Sequence, residues 1–290
     1  MKTITMIYLI CLITFSAFAD GVSLDYLEGY LELQNGAAWD ELYIGDEILS
    51  DAVLRLSDNG YAELLIDDAV VTLINDGNYS MSELISDVST VNTSSFDLKK
   101  KLTLNSDYEK WQQEAIMGVR GAKQTMDLNN GMEDAYTYLN AGLELLAKEE
   151  FGEALVNFEE GWEFFEDDNC LFFSAVCYEA LGQKRNYVKN LMDVSGEYLD
   201  VEFIAAYTIR KGDLLIKSLS YEDAVSLLED FVGNSYESTE AESQKIRFLL
   251  GKGYFGMDNS VGAKKELQAA RDMNPSTDVG KLAAETLENL

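Results

Sequence analysis

Two residue types that carry much enzyme chemistry, histidine and cysteine, are absent or rare in this chain. Histidine is absent from all 290 residues, which removes the commonest general base near neutral pH and the commonest metal ligand. A Ser-His-Asp or Cys-His site is therefore impossible, and an ordinary zinc site is not expected. Neighbouring carboxylates at Asp67-Asp68 and at 166–168 could in principle hydrolyse a glycoside. Because adjacent acids in turns and at helix ends are usually solvated, we predict that the protein is not an enzyme.

A calcium site also fails on spacing. The stretch from Asp127 to Gly131 begins like an EF loop, but its glycine stands one place early and no Glu occupies the twelfth position. The sequence therefore predicts neither a metal nor another cofactor.

Two cysteines, Cys170 and Cys177, remain outside the leader region, seven residues apart in a predicted helix. At about 1.5 Å of rise per residue their Cα atoms would lie about 10 Å apart. A disulfide needs less than about 7 Å. We therefore predict two small, buried, free thiols.

The formal charge of −30 comes from 52 acidic and 22 basic side chains. Such a surface repels phosphates and anionic lipid headgroups, so nucleic acid is not an expected partner. It could attract basic peptides or cations, or it could simply be a solvated acidic surface.

The first 19 residues are typical of an export signal. Lys2 supplies the positive end, 4–18 form an apolar core, and Ala17 and Ala19 are small residues at the positions a signal peptidase requires. The alternative, a membrane anchor, needs about 20 apolar residues. We expect cleavage before Asp20 and no membrane span afterwards.

Residues 20–125 are predicted to form a small all-β sandwich or roll. Short apolar or alternating segments are separated by turn dipeptides such as Asn59-Gly60 and Asp76-Gly77. The candidate strands are 29–33, 61–66, 69–74, 96–98 and 102–104.

The same region resembles a FecR domain. Trp39 is followed by Gly45-Asp46 and by the pair Ile48-Leu49, and the GVRGA segment at 118–122 is similar to the VRGT motif that ends such domains. The resemblance implies a β module of the cell envelope, with structural roles for Trp39, Gly45, Asp46, Arg120 and Gly121, including an Asp46–Arg120 pair. A sugar- or peptidoglycan-binding surface using Trp39 is the alternative.

After a linker at 126–134, the chain repeats itself. Small residues at positions 8 and 20 and large ones at positions 4, 7, 11, 24 and 27 recur in units near 135–168, 168–202, 205–238 and 244–277, with a closing helix at 278–290. The second unit is degenerate, because Tyr187 stands at its position 20, where a small residue is expected. This spacing resembles tetratricopeptide (TPR) repeats. We therefore predict a TPR-like α-solenoid of about four helical pairs with a capping helix.

The resemblance to TPR arrays implies a partner-binding groove lined by the first helix of each unit. The predicted lining residues are Tyr136, Leu139, Leu143, Phe172, Val176, Ile209, Ile216, Phe248, Phe255, Lys217, Lys245 and Lys252. An apolar channel with a basic end suits a protein segment that carries a carboxylate or acidic end. Alternatively, these side chains pack on the β domain, on the linker or within a tight superhelix.

Together these features predict a non-catalytic scaffold for protein partners, exported to the periplasm or outer cell envelope of a bacterium. In this hypothesis the solenoid holds a partner segment, and the FecR-like domain docks to an envelope component. The alternative is a protein that binds carbohydrate or peptidoglycan of the cell wall through its β domain.

Overall fold

The computed structural model describes residues 22–58, 60–66, 69–90, 135–288 and 290. In these ranges a β-rich N-terminal part precedes a helical C-terminal part, which confirms the predicted order. The predicted signal peptide, the candidate strands at 96–98 and 102–104, Arg120, Gly121 and the linker lie outside the described residues. None of the described helices is long and apolar enough to cross a bilayer.

The N-terminal part contains two antiparallel sheets. Its strands are β1 (Val22–Glu28), β2 (Leu31–Asn35), β3 (Ala38–Glu41), β4 (Glu47–Ile48), β5 (Val53–Leu56), β6 (Tyr61–Ile66), β7 (Ala69–Leu73) and β8 (Gly77–Ser80). The first sheet has the order β4-β1-β6-β7 and the second β3-β2-β5-β8. Leu24 and Leu64 of the first sheet share one buried core with Leu31 and Leu54 of the second, so the two sheets form a sandwich.

Alternation along β6 gives the first sheet two different faces. Ile66 pairs with Ala69 of β7, and Leu64 points into the sandwich core. Glu63 therefore lies on the outer face, directly opposite Tyr26 of β1.

A helix, α1 (Met81–Thr90), follows the last described strand, so the prediction of an all-β domain is wrong here. Met81, Leu84, Ile85 and Val88 have the spacing of one helix face, and they pack on the sandwich core.

The C-terminal part is built from four antiparallel helical pairs and a closing helix. The pairs are α2 (Ala135–Leu146) with α3 (Phe151–Phe165), α4 (Asp168–Ala180) with α5 (Lys184–Asp193), α6 (Val201–Lys217) with α7 (Tyr221–Asn234), and α8 (Glu240–Gly256) with α9 (Ser260–Met273); α10 (Asp278–Glu288) closes the stack. Each pair packs together and contacts the next pair along the chain. This arrangement is a TPR-like solenoid.

The small residue at position 8 of each unit sets the distance between its two helices. A Cβ built on Gly142 would lie 2.4 Å from the ring of Phe158, and one on Gly251 would lie 2.6 Å from Leu267. Gly212 faces Leu228 in the same way. The predicted spacing thus reflects direct contact between positions 8 and 24.

Two of the junctions between units contain the same kind of hydrogen bond. The hydroxyl of Tyr178 donates to Glu159 of the preceding unit, and the hydroxyl of Tyr254 donates to Glu229 of the preceding unit. In each bond the tyrosine stands at position 11 of its unit and the glutamate at position 25 of the preceding unit. At the junction between them, apolar Leu215 and Met192 stand at these positions.

Polar bonds fix the closing helix to the last unit. The amide nitrogen of the buried Gln244 donates to the carbonyl oxygens of Ala270 and Asn274, each at 2.8 Å. Its amide oxygen accepts from the Thr277 hydroxyl at 2.9 Å, and that hydroxyl oxygen accepts from the Gly280 amide of α10 at 3.0 Å.

Both cysteines of α4 are buried and free, as predicted. Burial, with a contribution from nearby carboxylates, raises the pKa of each thiol to about 12. Cys170 and Cys177 are therefore packing residues rather than nucleophiles.

Candidate functional site

The predicted partner-binding groove follows the first helices of the four pairs, α2, α4, α6 and α8. Six of its twelve predicted lining residues are buried in the core: Leu139, Phe172, Val176, Ile216, Phe248 and Lys245. Five are half-buried: Leu143, Ile209, Phe255, Lys217 and Lys252. Tyr136, at 55% exposure, is the one that is fully exposed. Burial at these six positions agrees with the alternative, in which the side chains pack within the superhelix.

Packing between successive first helices explains this burial. The Phe172 ring lies edge-on to Tyr207 of α6, with ring centroids 6.1 Å apart. Phe248, which holds the same position in the fourth unit, packs with Val279 and Ala283 of the closing helix. In the second and fourth units, the side chain at the fifth position thus contacts a following helix of the stack instead of lining a groove.

A buried ion pair joins the second and third units. Arg210 of α6 and Glu179 of α4 approach to 3.3 Å, and their side chains are only 9% and 8% exposed. The Arg210 guanidinium also lies 5.9 Å from the ring centroid of Phe172. Loss of one partner would leave a buried charge, so this pair fixes the second unit against the third.

Two of the predicted lining lysines, Lys217 and Lys252, lie close to Asp213, a carboxylate that was not among the predicted site residues. Asp213 of α6 lies 2.8 Å from Lys217 and 4.0 Å from Lys252. Burial would raise the pKa of Asp213, but the two ammonium groups bring it below its usual value. Burial lowers the pKa of Lys252, and Asp213 opposes that shift. The i,i+4 spacing of Asp213 and Lys217 was the available sequence signal.

The β-sandwich docks on the solenoid through the outer face of its first sheet. Lys184, at the start of α5, donates to both carboxylate oxygens of Glu63 at 2.8 and 2.9 Å. Its ammonium also lies 4.3 Å from the ring centroid of Tyr26. Tyr61 is buried in the same core as the helices of the first units.

A second contact lies one unit further along. Leu219, in the turn between α6 and α7, packs against the core of the sandwich. The sandwich therefore touches the turns within the second and third units, and this contact bridges two consecutive repeats. No sequence pattern indicated which edge of the solenoid it would occupy.

Of the five residues with predicted structural roles in the N-terminal part, Trp39, Gly45 and Asp46 lie in the described ranges. The Asp46 carboxylate accepts from the Tyr43 amide at 2.8 Å, and Gly45 has a φ of +95°, which favours glycine. The pair closes the turn before β4. Its predicted partner, Arg120, lies outside the described residues.

Trp39 lies half-buried on β3 with the Arg55 guanidinium 4.2 Å from its ring centroid. Arg55 in turn pairs with Glu32 at 2.6 Å. One face of the indole is therefore covered, and this arrangement does not favour stacking on a sugar. In the described ranges no three His, Cys, Asp or Glu side chains are grouped so that they could hold a metal ion.

Neither a protein-family model nor a curated protein matches the chain. Two solved structures align with it: the MamA RS-1 ArsTM double mutant, at 21% identity and a TM-score of 0.40, and MamA 41-end from Desulfovibrio magneticus RS-1, at 23% and 0.41. The alignments cover 55% of this chain and 94% and 97% of those chains. At such TM-scores the fold assignment depends on the packing within this chain, which is that of a β-sandwich followed by a TPR-like solenoid.

Proposed function

We propose that this chain is an exported, non-catalytic scaffold that holds protein partners on its helical solenoid. The stack of four helical pairs carries the proposal, because a solenoid offers a long surface made of repeated units. The TPR-like spacing supports the same role, since TPR arrays bind peptides and proteins. The signal peptide that the sequence predicts at residues 1–19 supports a location in the periplasm or outer envelope of a bacterium.

The β-sandwich is the proposed envelope-docking module. Its resemblance to FecR domains supports this role. The outer face of its first sheet lies against the solenoid, so an envelope component would meet the remaining surface.

On the solenoid, the accessible members of the predicted groove are the candidate contact residues. Tyr136 is exposed, and Leu143, Ile209 and Phe255 are half-buried. Charged substitutions at Phe172 or Phe248 would disrupt the core and cannot report on binding.

A crosslinking pull-down from native envelope extract tests the proposal. Wild type is compared with the variant Tyr136→Ala/Phe255→Ala and with Val261→Ala, a control on α9 where the side chain is 82% exposed. Circular dichroism first establishes that all three fold alike. The proposal predicts a partner that wild type and Val261→Ala retain and the double variant loses. Recovery of no specific partner would contradict the scaffold role, and equal recovery by all three would contradict these contact residues.

Export is tested separately by cell fractionation and by mass spectrometry of the purified chain. The proposal predicts a chain that begins at Asp20 and is found in the envelope fraction. A chain that retains residues 1–19 in the cytoplasmic fraction would contradict it.

A further inference from the structure

The second helix of the first unit, α3, has an outer face that combines apolar and acidic side chains. Val156 and Phe164 are 54% and 62% exposed. They stand eight residues apart with Glu160 midway, so the three lie along one side of the helix about 12 Å in length. We call Val156, Glu160 and Phe164 the α3 stripe. On the other side of the helix, Ala154 and Phe158 are buried and form core contacts.

The charged side chains of α3 itself all have one sign. Between Glu149 and Asp168 the chain has nine acidic residues and neither Lys nor Arg. Glu153, Glu160 and Glu163 are exposed on the helix surface. A partner that places positive charge beside an apolar contact with Val156 and Phe164 is therefore favoured over an acidic one, because like charges brought together at the rim repel each other.

The Phe164 end of the stripe packs against Tyr138 of the neighbouring helix α2. Phe164 and its neighbour Phe165 have ring centroids 6.1 and 5.9 Å from that of Tyr138 of α2. These contacts restrict the phenylalanine rings while leaving Phe164 accessible. A pre-ordered aromatic side chain loses less conformational entropy on binding than a mobile one, which is the property of an interface anchor.

We infer that the α3 stripe is a docking surface for a basic amphipathic segment of a partner protein, which places an apolar side chain against Val156 and Phe164 and Lys or Arg beside Glu160 and Glu163. This surface is distinct from the groove on the first helices. It rests on the proposed scaffold role, and it specifies the chemistry of one partner. A helical partner suits the site, because residues spaced by four along its own axis would meet residues spaced by four on α3.

A second acidic and apolar surface provides the matched control. Ile44 and Leu49 of the β-sandwich are also exposed, and acidic residues surround them in 40–51. They lie in and after a turn, without the regular spacing of a helix. A basic partner that is attracted only by the overall charge of −30 would bind both surfaces alike. A specific docking site would instead bind it at the α3 stripe alone.

The test measures binding of a synthetic 18-residue helical peptide of Lys and Leu, with Leu on one face, to the chain without residues 1–19. Fluorescence anisotropy compares wild type, Val156→Ala/Phe164→Ala and the control Ile44→Ala/Leu49→Ala. We expect the α3 variant to weaken binding about tenfold, as for loss of interface anchors, and the control to change it less than about twofold. The Glu160→Gln/Glu163→Gln variant should reduce the salt dependence of binding more than Glu237→Gln/Glu240→Gln, a pair elsewhere on the chain.

Equal weakening by the α3 variant and the control, no weakening by either, or no measurable binding of the peptide would each overturn the inference. Because the peptide is a defined probe, these outcomes leave the envelope pull-down unaffected. Failure of that pull-down would in turn contradict the scaffold role without bearing on the peptide measurement.

Discussion

Gly142 of α2 lies directly against the ring of Phe158 of α3, so that a Cβ on Gly142 would be 2.4 Å from the nearest ring carbon. The same contact recurs between Gly251 and Leu267. It brings the two helices of a unit close together, and a close pair is the element that the solenoid repeats.

Replacement of Gly142 by Ala should therefore destabilise the protein. The added methyl group must displace the Phe158 ring, and overpacking of this kind costs about 1–3 kcal/mol of unfolding free energy. The matched control is Gly152→Ala on α3, where nothing lies within 4 Å of the new Cβ; it should be neutral or stabilising by up to about 1 kcal/mol. Urea unfolding of both variants checks this, and a neutral Gly142→Ala would contradict the contact.

The tyrosine–glutamate bonds between units predict sensitivity to alkaline pH. Hydrogen bonding to Glu229, followed by burial, raises the pKa of Tyr254 to about 12, and burial together with the bond to Glu159 raises that of Tyr178 to about 12. Because the unfolded value is about 10, the stabilisation is complete below pH 10 and is lost as pH rises from 10 to 12.

Absorbance titration of tyrosinate at 295 nm measures this directly. Wild type should show a group of tyrosines that ionise near pH 12, and Tyr178→Phe/Tyr254→Phe should lose two of them. The same variant should lose less stability between pH 10 and 12 than wild type. An unchanged late ionisation in the variant would show that other tyrosines account for it.

The bond between Glu63 and Lys184 should stabilise the junction of the two domains. Glu63→Gln removes the charge that Lys184 contacts at 2.8 Å. Because Glu63 is mostly buried but Lys184 is 40% exposed, solvent screening reduces the contribution of this bond, and we expect a loss of about 1–2 kcal/mol. Glu32→Gln, which breaks the more exposed pair with Arg55, should cost about 1 kcal/mol or less. Denaturant unfolding of both variants is the measurement, and an equal loss would argue against a special role for the junction.

The two thiols of α4 should be unreactive in the folded chain. Cys170 and Cys177 are buried with pKa values of about 12, so a thiol reagent at pH 8 should label neither until the protein unfolds. Labelling followed by mass spectrometry, with and without urea, checks this. Rapid labelling of the native chain, or a mass that indicates a disulfide, would contradict the structure.

The helical half was predictable because its signal is local. Gly142, Ala154 and Phe158 repeat the small and large positions of one unit, and the contacts that require them lie within that unit. The sequence of α1 contains an equally local signal, since Met81, Leu84, Ile85 and Val88 have the spacing of one helix face. The capping box of Thr239 and Glu242 likewise starts α8 four residues before the predicted fourth unit.

The groove was less predictable because exposure depends on contacts between units. Phe172 occupies a lining position in the repeat, but whether it reaches solvent depends on how closely α6 approaches α4. The contact of Glu63 with Lys184 spans 121 residues, and no periodicity of either segment indicates it. Local spacing thus predicts elements, whereas the accessible site depends on long-range packing.

The most direct test of the scaffold role is site-specific photo-crosslinking in the native cells. A photoreactive amino acid is placed in turn at Tyr136, Phe255 and Phe164, and at Val261 as the control. The scaffold role predicts discrete adducts of defined mass from the solenoid sites and none from Val261. The absence of discrete adducts at all three solenoid sites, with the protein folded and exported, would contradict the claim that this chain works by binding proteins on its solenoid.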